Sequence, residues 1–95
     1  MAFQVNQNEA GIRSWEAAKA HPRTWCRITE EEADEALNVL PPIYFDGGFA
    51  VSEPIRHTAA DEPVFLGVVQ RSGIYYCAEG TVAELSREAR KLRLG

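Results

Sequence analysis

Thr29-Glu30-Glu31-Glu32-Ala33-Asp34-Glu35-Ala36-Leu37-Asn38-Val39-Leu40-Pro41-Pro42-Ile43-Tyr44-Phe45 is the stretch on which the fold turns. It opens with a capping box, in which the Thr29 hydroxyl accepts from the Glu32 amide and the Glu32 carboxylate reaches back to the Thr29 amide. Ala33, Ala36, Leu37 and Leu40 follow at three- and four-residue steps and make an apolar helical stripe. Glu31, Asp34, Glu35 and Asn38 fall on the opposite face. Pro41-Pro42 stops the helix, because proline has no amide to donate and the residue before it is pushed out of helical geometry. Beyond the prolines the period changes. Ile43-Tyr44-Phe45 and Phe49-Ala50-Val51 are β-type runs separated by Asp46-Gly47-Gly48, a turn whose glycines accept positive φ.

Working outward toward the C-terminus, residues 55–62 are polar and read as irregular, with a turn at Asp61-Glu62-Pro63. Residues 64–70 form a strand apolar on both faces, which places it centrally in a sheet. Arg71-Ser72-Gly73 joins it to a hairpin partner over 74–78. A second capping box, Thr81-Val82-Ala83-Glu84, starts the last helix, whose expected buried stripe is Val82, Leu85, Ala89 and Leu92. Arg87, Arg90, Lys91 and Arg93 crowd its final turns, where the helix dipole favours cations.

Toward the N-terminus, a helix is expected over 9–20, capped by Asn8, with Ile12, Trp15 and Ala18 at helical spacing and His21-Pro22 ending it. The resulting expectation is a single α+β domain over 1–95: a small antiparallel β-meander of about four strands, with two N-terminal helices and one C-terminal helix packed on one face. Ile12, Trp15, Leu37, Leu40, Val64, Leu66, Val68, Leu85 and Leu92 are expected in one core.

Composition bounds the function. The chain has 95 residues, 45% of them apolar, which is one domain's worth and no more. Its longest apolar run, residues 64–69, is far short of the ~20 residues a membrane-spanning helix needs. No basic segment followed by an apolar one marks a secretory signal at the start, so a cytoplasmic protein without membrane contact is expected. Ten basic against fourteen acidic residues give a net charge of -4, which argues against general nucleic-acid affinity. Cys26 and Cys77, each among apolar neighbours, read as reduced thiols packed as small hydrophobes. No Cys-x-x-Cys accompanies them, so neither metal nor cofactor is expected.

The sequence has no Gly-x-Ser-x-Gly elbow, phosphate loop, His-Glu-x-x-His or dinucleotide fingerprint. Glu30, Glu31, Glu32, Asp34 and Glu35 put five carboxylates within six residues. Acid–base catalysis would need separate environments to split their pKa values, which a solvated helix start does not supply. An acidic docking surface for a basic partner fits them better. Trp25, between Arg23 and Arg27 in what reads as a turn between helices, is a candidate surface anchor beside it. Tyr44, Phe45, Phe49, Tyr75 and Tyr76 cannot all face one side of a sheet. Base stacking by exposed members would need more cations than Arg56 and Arg71 nearby.

Leu40-Pro41-Pro42, Gly48-Phe49-Ala50, Ser52-Glu53-Pro54 and Gly73-Ile74-Tyr75-Tyr76, ahead of the helix start at Thr81, resemble a domain-of-unknown-function family of small proteins from bacterial plasmids and phages. The resemblance spans residues 36–85 and carries over no catalytic residue. It implies a mobile-element origin. Small acidic proteins of that origin are often stoichiometric inhibitors of host defence complexes, of the anti-CRISPR or anti-restriction type.

The first functional expectation is therefore a non-enzymatic acidic module that occupies a basic surface, such as that of a nucleic-acid-binding effector, through Glu31, Asp34, Glu35 and Trp25. A cysteine-dependent enzyme is the second reading and requires a low-pKa thiol at Cys26 or Cys77. A self-associating structural protein, a homodimer favoured by an exposed β edge or an aromatic patch, is the third.

Overall fold

The computed structural model describes residues 3–9 and 14–94, with the side chains of residues 7–9, 14, 15 and 17 outside that description. The elements run β1 (Gln4–Glu9), α1 (Ser14–Ala20), β2 (Thr24–Ile28), α2 (Glu30–Val39), β3 (Pro42–Asp46), β4 (Phe49–His57), β5 (Pro63–Arg71), β6 (Ile74–Gly80) and α3 (Val82–Leu94). All six strands join one sheet in the order β1-β2-β6-β5-β4-β3. β1 and β2 pair in parallel, and every other neighbouring pair is antiparallel.

This architecture corrects the expected one. β3 to β6 run as consecutive antiparallel neighbours, but the sheet is mixed and two further strands precede them. Of the helix expected over 9–20, Ser14–Ala20 is helical, Asn8 and Glu9 lie in β1 rather than at a helix start, and residues 10–13 lie outside the described residues. Ile12 lies outside the described residues, as does the side chain of Trp15. Thr24–Ile28, expected as a turn, is the strand β2. The chain reaches it by a crossover through α1, which parallel neighbours require. β4 also runs on to His57 where an irregular segment was expected. Its register shifts on both sides of Pro54, and a bulge there accommodates a residue with no amide to donate.

The helices do not share one face. β5 alternates, so Phe65 and Val69 point to one side and Leu66 and Val68 to the other. On the first side α3 packs Leu85, Ala89 and Leu92 against Phe3, Trp25, Phe49, Val51, Phe65, Val69 and Tyr76. On the second side Ala18 of α1 and Ala33 and Ala36 of α2 cover Cys26, Ile28, Leu66, Val68 and Cys77. The expected single core is therefore two cores separated by the sheet. Leu37 and Leu40 are only partly buried against the second core, Val64 is buried but belongs to neither, and Val82 is exposed.

Local chemistry sets the joints. The Thr29 hydroxyl accepts from the Glu32 amide at 3.1 Å, and Glu32 Oε1 accepts from the Thr29 amide at 3.0 Å. Thr81 and Glu84 repeat the box, with both bonds at 3.2 Å. The β5–β6 hairpin turns through Ser72 and Gly73, whose φ values of 52° and 79° match the doubly left-handed turn that suits strand twist. The β2–β3 connection is the longest spatial step. From near one edge of the sheet, α2 crosses the second face and delivers the chain to β3 at the other edge.

Candidate interaction surface

α2 and β3 together present exposed carboxylates beside exposed apolar side chains. The capping box and the buried Ala33 and Ala36 fix the rotation of α2. That rotation leaves Glu30, Glu31, Asp34 and Asn38 exposed and Glu35 half-buried. Glu32 is different: it is buried, one oxygen serves the cap, and its Oε2 has no partner among the described residues. None of Glu30, Glu31, Asp34 and Glu35 forms an ion pair among the described residues. Elsewhere Glu79 pairs with Arg56, Glu84 with Arg23, and Glu88 with both Arg87 and Lys91. Unscreened like charges one turn apart repel, so this stretch of α2 keeps an outward-directed negative field.

β3 lies beside it as an edge strand. Every residue of β3 is exposed, Phe45 to 69%. Between α2 and the sheet lies a cleft of about 180 Å³ whose walls include Ala33, Asp34, Leu37, Phe45 and Tyr75. It is thus apolar in its floor and acidic at its α2 rim. On the other face of the same edge, Tyr44 packs edge-on against Phe49 with ring centroids 5.9 Å apart. There a second groove of about 310 Å³ runs between Tyr44, Asp46, Arg90, Arg93 and Leu94. Arg93 donates to the Gly47 carbonyl at 3.1 Å and ties α3 to the β3–β4 turn. The two flanks of β3 therefore differ in charge, acidic toward α2 and predominantly basic toward α3.

Of the sequence-derived candidates, Glu31, Asp34 and Glu35 share one helix and one side of it, and Trp25 does not join them. Its side chain is 1% exposed and sits in the α3-side core, with its ring 5.6 Å from that of Phe3. The expectation of a surface anchor fails because residues 24–28 are a strand, and position 25 alternates inward under α3. Among the described residues the exposed aromatics are instead Tyr44 and Phe45, while Phe49 and Tyr76 are buried. The signal for them was the Pro41-Pro42 pair, since prolines favour edge over central positions.

Two buried acidic or thiol groups complete the electrostatics. Glu88 on α3 accepts from the Phe3 amide at 2.9 Å, and that bond, with help from Arg87 and Lys91, holds its carboxyl below the ordinary glutamate range against the cost of burial. Burial pushes the Cys26 thiol up, the direction opposite to an activated nucleophile. Among the described residues, no group of three or more His, Cys, Asp and Glu is placed to hold a metal ion, and no helix is long and apolar enough to cross a membrane.

Comparison with known proteins leaves the surface to be read on its own chemistry: no family model, curated protein or solved structure matches the chain.

Proposed function

We propose that the protein is a non-catalytic binding module that docks through the exposed carboxylates of α2 onto a basic surface of a larger protein. The observation that carries the reading is the set of carboxylates at Glu30, Glu31, Asp34 and Glu35, without an ion pair among the described residues, on a helix whose rotation is locked from below. The adjoining cleft, with Phe45 at its edge, supplies apolar area that charge pairing alone lacks. A nucleic-acid-binding effector of a host defence system presents the kind of basic channel that such a face would occupy, in keeping with the resemblance to mobile-element proteins.

The test is a paired capture. Wild type and the triple variant Glu31→Lys, Asp34→Lys, Glu35→Lys serve as baits in host lysate at low salt. The reading expects a partner that is held by wild type, lost by the variant, released by salt and displaced by a polyanion such as heparin. A partner retained equally by both baits refutes it.

A second reading rests on the β3 edge alone. A fully exposed edge strand with Ile43, Tyr44 and Phe45 offers a template for strand pairing with a second copy. Light scattering over a concentration series separates the two, because only self-association raises the mass of the isolated protein, and a rise that Phe45→Asp abolishes belongs to the β3 edge.

A further inference from the structure

Cys26 on β2 and Cys77 on β6 are directly opposed in the antiparallel ladder, and both belong to the core beneath α1 and α2. Directly opposed residues have Cα atoms ~4.5–5.5 Å apart in either class of ladder position, inside the ~4.4–6.8 Å that a disulfide spans. Both thiols are reduced and buried, and Cys26 Sγ lies 3.8 Å from the Thr24 carbonyl as a weak donor. Ala18 of α1 is in the layer that covers them. α1 is a helix of only 7 residues, too short to be stable by itself, so its undocking is a low-cost local opening.

We infer that Cys26 and Cys77 form a dithiol site that a small-molecule disulfide oxidises to a cross-strand bridge between β2 and β6. One thiolate attacks a sulfur of the oxidant, expels one thiolate and leaves a mixed disulfide on the protein. The second cysteine thiolate attacks the protein-bound sulfur and expels the other. Two cysteine S–H bonds are lost, one S–S bond forms, and the oxidant's S–S bond is reduced to two thiols. The bridge ties the β1-α1-β2 unit to the rest of the sheet at the seam where β2 pairs with β6. It makes the docking of that unit sensitive to thiol redox state, independently of whether the α2 surface binds a partner.

The test uses the folded protein equilibrated with oxidised glutathione, alone and in urea below the unfolding transition so that α1 opens. Thiols are then blocked with N-ethylmaleimide under denaturing conditions and intact mass is measured. The expected product is a monomer lighter by about 2 Da, carrying no maleimide, whose unfolding midpoint rises by about 10–20 °C and falls back on reduction. Cys26→Ser and Cys77→Ser should each abolish the bridge and the shift. Glutathione adducts on wild type, dimers joined between chains, or two alkylatable thiols in both conditions would each overturn the inference, because each means that the two sulfurs do not meet.

Discussion

A Cβ placed on Gly67 would stand 2.9 Å from Cδ2 of Leu85, so α3 rests directly on the bare backbone of β5. Leu85 is fully buried, and its Cδ1 and Cγ would lie at 3.3 and 3.4 Å from the same point, which leaves the side chain little room to retreat. Glycine within a strand ordinarily costs ~0.5–1 kcal/mol relative to alanine. Here close approach outweighs that cost. Gly67→Ala should lose about 1–2 kcal/mol of unfolding free energy in a urea titration, overpacking exceeding the gain in strand propensity. Leu85→Ala should lose ~2–5 kcal/mol. The double variant should lose clearly less than the sum, since each change relieves the other.

Glu88 ties the N-terminus to α3, and its protonation should be felt as stability. Its folded pKa lies below the ordinary value, so its contribution is fully present above about 4.3, the unfolded glutamate value. That contribution is lost as pH falls through the folded pKa. Unfolding free energy measured from pH 7 down to pH 3 should therefore decline across this window, and Glu88→Gln should flatten the decline while lowering stability at pH 7.

The two capping boxes make parallel claims. Thr29→Ala and Thr81→Ala should each cost ~0.5–2 kcal/mol, because each strands one amide of the first helical turn. Serine at either position should restore most of the loss. Equal stability of threonine and alanine at 29 would mean that the α2 start is held by packing instead.

What the sequence disclosed and withheld follows the range of the interactions concerned. Both capping boxes, the proline stop at 41–42 and the Ser72-Gly73 hairpin act within a few residues, and each stands where local chemistry puts it. β1 and β2 depend on each other across α1. Thr24–Ile28 has only five residues to show a strand, and the arginines flanking Trp25 resemble a turn. With β2 hidden, Trp25 reads as a surface residue and the helices as sharing one face. Yet the unbroken apolar run of residues 64–69 carried the contrary message, since a strand buried on both sides requires a layer on each. Leu37 shows the consequence for energetics. Leu37→Ala, which a fully buried stripe would put at ~2–5 kcal/mol, should cost about 1–2 kcal/mol because the side chain is only partly covered.

The candidate surface was half legible for the same reason. Glu31, Asp34 and Glu35 follow from helical periodicity alone, whereas the neighbouring Phe45 depends on β3 being an edge, a property of strand order. Because the carboxylates are exposed or half-buried, converting Glu31, Asp34 and Glu35 to lysine should alter unfolding free energy by only ~0.5 kcal/mol each and leave the circular dichroism spectrum unchanged. A collapse of the spectrum would show that these side chains hold the helix in place.

The most direct measurement is the dissociation constant of the captured partner for wild type and for the Glu31→Lys, Asp34→Lys, Glu35→Lys variant, by anisotropy at low and at near-physiological salt. Docking through α2 predicts weakening of about 100-fold at low salt, a smaller difference at higher salt, and a wild-type affinity that itself falls as salt rises. Equal affinity of the two folded proteins, indifferent to salt, would contradict it.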